Sequence, residues 1–217
     1  MSEKPAKGEL SFNITLNEEQ KEAKRLILEN QIVIITGRAG SGKSLVGAQT
    51  CLDFLFKKIY KKVVVTRALV EVGASMGFLP GDANDKFNPY MEAFIENVYD
   101  CVSGDKKIKV DEFIEQGVIT AFPVQFARGK TINEVLVIEE AQNLSKTEML
   151  ALLTRLGKNG KIIINGDGAQ KDTNQSVSGL DYAITLSKNI PEIKWIKLKE
   201  NHRSDLVGKI LDHEYGK

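Results

Sequence analysis

The sequence has few cysteines, and the two that it has stand far apart. Cys51 and Cys101 do not form a CxxC pair. They therefore exclude a disulfide framework and give no sign of a zinc site. We expect a reducing compartment and two ordinary thiols of the core.

An excess of charge is also missing. The chain has 30 Lys and Arg against 29 Asp and Glu, which leaves a formal net charge of +1. This balance gives no sign of general affinity for nucleic acid. It does not exclude a local basic face, because net charge does not report how charge is distributed.

Long apolar runs, internal repeats and low-complexity segments are absent as well. The polar start MSEKPAKGEL contains no apolar core of a signal peptide, and no run approaches the length of a membrane span. We therefore expect a cytoplasmic protein with no membrane partner. The 217 residues suffice for one well-buried α/β domain. We predict a polar N-terminal segment over 1–13 and a single domain over 14–217.

Short β-branched runs alternate with helical patterns along the chain. The predicted strands are 32–36, 62–66, 118–122, 135–138, 161–165 and 193–198. The predicted helices are 18–29, 43–58, 89–102, 146–156 and 180–187. Most strand candidates are continuous apolar runs, which is typical of strands covered on both faces. The alternation predicts right-handed βαβ units and a mainly parallel, doubly wound sheet, interrupted by a long connection over 67–86.

The most specific motif is GRAGSGKS, which follows a predicted strand and opens a predicted helix. Its residues are Gly37, Arg38, Ala39, Gly40, Ser41, Gly42, Lys43 and Ser44. They match GxxxxGK[ST], in which glycines let backbone N–H groups fold around phosphate oxygens. Lys43 is predicted to reach the β and γ phosphates of ATP, and Ser44 to ligate Mg²⁺. The alternative is a glycine-rich strand–helix turn with an incidental lysine.

Two adjacent acids, Glu139 and Glu140, end the apolar strand VLVI. Neighbouring carboxylates repel each other, and a magnesium triphosphate would supply the positive partner that they need. Glu139 is predicted to hold the metal, and Glu140 to orient or deprotonate an attacking water. The alternative is that one acid merely caps the following segment.

The stretch INGDGAQ places Asp167 and Gln170 after a third strand, where a switch would sense the γ-phosphate. In ATPases that have a catalytic Glu beside the metal-binding acid, the sensor strand lies between the phosphate-loop strand and the acid strand. We therefore predict 161–165 between 32–36 and 135–138. The pattern GDxxQ downstream of EAQ resembles motif III of superfamily one helicases, although Gly-Asp is also common in turns.

Five stretches together resemble the PhoH family of P-loop ATPases. They are VGASMGFLPGDANDKFNPY (72–90), ARGKTINEVLVIEEAQN (127–143), NGDGAQKD (165–172), SGLDYAI (178–184) and ENHRSDLVGKI (200–210). The resemblance implies a RecA-like, superfamily one helicase-like domain, ATP hydrolysis and rings of subunits, with a hexamer as the implied number. Four positions depart from the family pattern: Glu139 replaces the usual Asp, Asn165 the usual Thr, and Ser204-Asp205 the usual His-Pro.

The resemblance also suggests roles for residues outside the main motifs. Gln20 resembles the glutamine that recognises adenine in superfamily one, although a capping box with Asn17 explains it equally well. Arg203 resembles an arginine that stabilises γ-phosphate charge, and we predict that it acts across a subunit boundary; a surface arginine is the alternative.

Three basic residues, Arg67, Arg128 and Lys130, are candidates for contact with RNA or single-stranded DNA. A neighbouring subunit is the alternative partner for Arg67, and a solvated loop explains the last two equally well. Trp195 is predicted to lie in the core. Two functions stay open: an ATPase that acts on nucleic acid, and a nucleotide-gated interaction protein without motor activity. A small kinase is a weaker third.

Overall fold

The structure is a computed structural model of the chain. It describes residues 10–68, 83–124, 130–170 and 177–200, together with 206, 209 and 213; for 83–90 it describes the backbone alone. None of the helices in this part of the chain combines the length and the apolar character that crossing a bilayer requires.

The described strands form one six-stranded sheet. In chain order they are β1 (Ile32–Thr36), β2 (Val63–Arg67), β3 (Ile119–Ala121), β4 (Val135–Glu139), β5 (Lys161–Gly166) and β6 (Ile193–Lys197). Their spatial order is β3-β2-β4-β5-β1-β6, and each described pairing is parallel. The parallel α/β sheet of a P-loop NTPase is confirmed. The predicted place of β5 between β1 and β4 is confirmed as well.

Helices connect these strands on both faces of the sheet. They are α1 (Glu18–Glu29), α2 (Lys43–Phe56), α3 (Ala83–Cys101), α4 (Asp105–Glu115), α5 (Lys146–Leu153) and α6 (Gly179–Asn189), with a 3-10 turn over Ala141–Asn143. Reciprocal capping boxes open α1, α5 and α6. Each box satisfies N–H groups that the first helical turn would otherwise leave without acceptors, which fixes where the helix begins.

Alternate residues of the central strands enter two separate cores. In β1, Val33 and Ile35 pack with α1, α2 and α3, while Ile34 packs on the other face with residues of α5 and α6. This alternation explains the continuous apolar runs of the sequence, because both sides of each central strand are covered. The predicted core thiols are confirmed, since Cys51 and Cys101 are both free and buried.

One sequence-based expectation was wrong, and one helix was missed. Trp195 is 43% exposed instead of buried, because β6 lies at the edge of the sheet. Helix α4 was not predicted, since its sequence DKKIKVDEFIE is dominated by charge. Its apolar positions Val110, Phe113 and Ile114 nevertheless have helical spacing and pack on the core.

Candidate functional site

The loop between β1 and α2 adopts a conformation that depends on two glycines. Gly40 and Gly42 have φ angles of 87° and 84°, in the left-handed region that side chains rarely adopt. A Cβ atom on Gly42 would also lie 2.4 Å from the amide nitrogen of Gln20. Helix α2 begins at Lys43, and its N-cap Gly42 has no side chain that could cap the first turn, so the start of the helix suits an anion.

The ammonium of Lys43 is held against this loop. Its Nζ donates to the carbonyl oxygens of Gly37 at 2.6 Å and Arg38 at 3.1 Å. The same loop turns tightly, because the N–H of Ser41 donates to Arg38 O at 3.1 Å. A cation is therefore fixed at the mouth of an N–H-rich helix start, which is the arrangement that a phosphate chain prefers.

Glu139, at the end of β4, lies directly beside the start of α2. Its carboxylate accepts hydrogen bonds from Ser44 Oγ and from Asn165 Nδ2, each at 2.9 Å. Burial raises the pKa of Glu139 above its ordinary value, while these two hydrogen bonds oppose the shift. Asn165 also keeps its buried Oδ1 without a partner among the described residues. The carboxylate, hydroxyl and amide oxygens of Glu139, Ser44 and Asn165 are of the type that a hard cation such as Mg²⁺ prefers.

Glu140, the residue after the candidate metal ligand Glu139, has a strained backbone. Its backbone has φ 52° and ψ 44°, a left-handed conformation that is uncommon for a residue with a side chain. The amide of Gln142 donates to Glu140 Oε2 at 2.6 Å and accepts from the N–H of Asp167 at 3.0 Å. Gln142 therefore links the second acid to the end of β5.

Asp167 links β5 back to the phosphate loop. Its Oδ2 accepts from the N–H of Ala39 at 3.1 Å, and its Oδ1 accepts from the N–H of Ala169 at 3.0 Å. The N–H of Gln170 donates to the carbonyl oxygen of Asp167 at 3.1 Å. A change in phosphates bound at the loop would therefore reach Asp167 and Gln170 through these hydrogen bonds.

Gln20 forms two contacts that bear on the roles that the sequence left open. It forms the predicted capping box with Asn17, and its Nε2 also donates to Ser41 O at 3.1 Å. The buried Gln20 amide thus lies against the phosphate loop at the start of α1. The capping role is confirmed, and the contact with the loop is compatible with recognition of a base.

These residues share one cavity of about 810 Å³, a size that accommodates a nucleotide. Its described lining comprises Ile14, Thr15, Asn17, Gln20, Ala39, Gly40, Gly42, Lys43, Ser44, Leu45, Asn97, Asp100, Glu139, Glu140, Asn165, Gly166, Asp167 and Gln170.

Negative charge dominates this lining. Lys43 is the one lysine or arginine among the described lining residues, against four acids, Asp100, Glu139, Glu140 and Asp167. A triphosphate would add further negative charge, so a divalent cation is needed to hold both together. No group of three or more His, Cys, Asp or Glu in the described residues suits a metal by itself. A cation here would therefore share its ligands with the phosphates.

Neither of the two described basic candidates lines this cavity. Arg67 ends β2 in register with Glu139, so it lies at the same edge of the sheet, but it does not line the cavity. Lys130 is exposed. Arg128 and Arg203 lie outside the described residues.

Sequence reasoning left several residues of the site without a role. Asn165 lines the cavity, while Gln142 contacts Glu140 and Asp167 without lining it. Both stand inside motifs that were already recognised, so those motifs could have identified them. Asn97 and Asp100 carry no such signal, since their place depends on how α3 packs against α2 and β2.

Comparison with known proteins gives the same assignment as the motifs. The family model described as PhoH-like protein matches residues 14–214. The chain is 36% identical over 197 residues to a PhoH-like protein of Bacillus subtilis (strain 168), covering 89% of this chain and 61% of that protein. It is 35% identical over 173 residues to Protein PhoH of Escherichia coli (strain K12), covering 77% of this chain and 48% of that protein. The chain thus spans about half to three fifths of these relatives.

Solved structures share the fold at low sequence identity. The large terminase of a thermophilic bacteriophage matches with a TM-score of 0.56 and 10% identity, over 94% of this chain and 51% of that chain. The UvsW helicase of bacteriophage T4 matches with a TM-score of 0.51 and 13% identity, over 86% and 61% respectively. At this level the similarity concerns the fold alone.

Proposed function

Because this chain belongs to the PhoH family, we propose that it binds ATP with Mg²⁺ and hydrolyses it, and that this ATPase acts on RNA or single-stranded DNA. The observation that carries the proposal is the contact between Ser44 and Glu139 at 2.9 Å. It joins the end of the phosphate loop to the first of the two acids, as a metal shared between them requires.

The roles of the loop residues follow from their chemistry. The N–H groups at the start of α2 and the ammonium of Lys43 would bind the phosphates. Lys43 already donates to Gly37 and Arg38, so it would exchange carbonyl oxygens for phosphate oxygens with little movement. Ser44 and Glu139 would hold Mg²⁺, which neutralises negative charge on the phosphates when it is bound. Arg38, Ala39, Gly40, Ser41 and Gly42 would shape the loop.

Glu140 is the residue that we assign to water activation. It lines the cavity immediately after Glu139, and Gln142 fixes one of its oxygens through a hydrogen bond of 2.6 Å. A fixed carboxylate leaves its other oxygen to orient a water for attack on the γ-phosphate. Asp167 and Gln170, at the end of β5, would sense whether the γ-phosphate is present.

The nucleic-acid part of the proposal rests on the family and on the helicase-like arrangement of motifs. Arg67 is the described candidate nearest the acids, since it pairs in register with Glu139. A nucleic acid that contacts Arg67 would therefore lie beside Glu139, the proposed ligand of Mg²⁺. Lys130 and Arg128 are weaker candidates for phosphate contacts.

Assembly into a ring, with six subunits as the family implies, belongs to the proposal as well. Lys43 is the single lysine or arginine among the described cavity residues, so the γ-phosphate would lack a second cation from them. A neighbouring subunit could supply one, and Arg203 is the candidate. An arginine in this role is typically worth about 10³–10⁵ in rate.

Steady-state release of phosphate from ATP tests the proposal, with Mg²⁺ or EDTA and with or without single-stranded RNA and DNA. We expect hydrolysis that needs Mg²⁺ and increases with polynucleotide, alongside a measured mass above that of one chain. An equal rate of hydrolysis with and without polynucleotides would favour the second candidate, a nucleotide-gated interaction protein. A chain that neither binds nor hydrolyses ATP would contradict the proposal.

A further inference from the structure

The nucleotide cavity extends beyond the phosphate loop to helix α3. Two polar residues of that helix, Asn97 and Asp100, line it together with Ile14 and Thr15. None of these four belongs to a phosphate or metal motif. They therefore line a part of the cavity away from these motifs, which is formed by α3 and by the residues just before α1.

Hydrogen bonds hold the chain before α1 between α2 and α3. The N–H of Asn13 donates to Cys101 O at 2.9 Å, and its side-chain amide donates to Asp100 O at 3.3 Å. On the other side, Gln49 of α2 donates to Ile14 O at 2.8 Å. The last turn of α3 is thus tied to the residues that lead into the cavity, so the positions of Asn97 and Asp100 relative to Ile14 are set by the fold.

The chemistry of this end differs from that of the phosphate end. Ile14 and Leu45 supply apolar surface, which suits a planar base, and Gln20, which donates to Ser41 O, lines the same cavity. Asp100 supplies an acceptor-only carboxylate on an exposed stretch of α3. A carboxylate would repel phosphates, but it is well suited to accept hydrogen bonds from the two hydroxyl groups of a ribose.

We propose that Asp100 binds the ribose hydroxyls of the nucleotide and makes the site selective for ribonucleotides. Asn97, one turn earlier on α3, lines the same end and borders the sugar. This inference rests on the proposed ATP site and names the part of the nucleotide that α3 recognises. Discrimination arises because a sugar without hydroxyls leaves the Asp100 carboxylate without donors in the bound state.

Calorimetric titration with Mg-ADP and with Mg-2′,3′-dideoxyADP tests the assignment without hydrolysis. We expect the unaltered protein to bind the dideoxy compound about ten-fold more weakly than ADP, the size of a hydrogen bond to a charged group at its lower limit. Asp100→Ala should weaken ADP binding by a similar factor and leave dideoxyADP binding unchanged. Asp100→Asn, which keeps one carbonyl acceptor at the same place, should fall between them.

Glu96→Ala provides the matched control, since Glu96 is an exposed acid of α3 that does not line the cavity. It should keep the full preference for ADP. Equal affinities of the unaltered protein for the two nucleotides would overturn the inference, and so would an equal loss of both in Asp100→Ala. A change in the preference for ADP over GDP, with the ribose preference intact, would assign Asp100 to the base instead and also overturn it. Failure to bind either nucleotide would contradict the proposed ATP site itself.

Discussion

The carboxylate of Asp167, directly after β5, accepts a hydrogen bond from the backbone N–H of Ala39 in the phosphate loop at 3.1 Å. Backbone N–H groups of this loop are the groups that phosphates require. In the proposed ATP site, Asp167 would therefore compete with a nucleotide for the loop, and bound phosphate would release it. This relationship connects occupancy of the site to the end of the central strand β5.

Replacing Asp167 with Ala should loosen the empty loop without removing a phosphate ligand. We expect affinity for Mg-ADP to rise by up to about five-fold, since the empty state loses one hydrogen bond of about 1 kcal/mol. Trp195 offers a fluorescence readout of binding, because its indole donates to Thr36 Oγ1 at 2.9 Å, just before the loop, and it is the only tryptophan of the chain. Asp105→Ala, at an exposed position of α4, serves as the control. Weaker binding in Asp167→Ala would show that Asp167 holds the nucleotide instead.

Two substitutions should separate binding from chemistry. Lys43→Ala removes the ammonium from the phosphates and should weaken ATP binding sharply. Glu140→Gln keeps the shape of the side chain and removes the base, so ATP should still bind while turnover falls by roughly 10²-fold or more. Binding isotherms and phosphate release measure the two effects. Normal turnover in Glu140→Gln would mean that the roles of the acids are assigned incorrectly.

Mixed assemblies should show whether Arg203 acts between subunits. Arg203→Ala and Glu140→Gln are each expected to be inactive alone. In mixed rings, some interfaces would combine an intact Arg203 with an intact Glu140, and these should regain hydrolysis. Mass measurement confirms that mixing has occurred. If verified mixtures stay inactive, Arg203 works within its own chain or has no part in the reaction.

Lys161 should give the stability of the protein a distinctive pH dependence. This lysine is 4% exposed at the start of β5, and its ammonium donates to the carbonyl oxygens of Ile27 and Asn30 at the end of α1. Burial lowers its pKa from the ordinary 10.5 to about 8. Between these two values the unfolded chain keeps a proton that the folded protein has released, so the free energy of unfolding rises with pH.

The expected rise is about 3 kcal/mol at most between pH 8 and 10.5, with the destabilisation fully present below pH 8. Urea unfolding at several pH values measures it. Lys161→Met should remove this component, while Lys158→Met, at an exposed position, should retain it. An identical pH dependence in Lys161→Met and the unaltered protein would refute the assignment.

Local sequence patterns were sufficient to predict six strands and to locate the candidate phosphate loop. The inner strands β1, β2, β4 and β5 are continuous apolar runs because both of their faces are buried, whereas the edge strands β3 and β6 are only partly buried. GRAGSGKS could be recognised from the sequence because its glycines and Lys43 lie within eight consecutive residues and form the loop locally. The order of β1, β5 and β4 followed from the motifs that end these strands.

Features that depend on tertiary packing could not be predicted in the same way. Trp195 is apolar in type, but its exposure depends on β6 lying at the sheet edge. Asp100 lines the cavity because α3 packs against α2 and β2, and Asn13 ties the residues before α1 to the end of α3, a contact between positions 87 residues apart. No local pattern encodes such a contact.

The most direct test of the account is a crystal structure with Mg²⁺ and a non-hydrolysable ATP analogue. We predict the β and γ phosphates against Lys43 and the first N–H groups of α2, with Mg²⁺ beside Ser44 and Glu139. The hydrogen bond between Asp167 and Ala39 should be broken. A nucleotide bound elsewhere, or a metal ion away from both Ser44 and Glu139, would contradict the account.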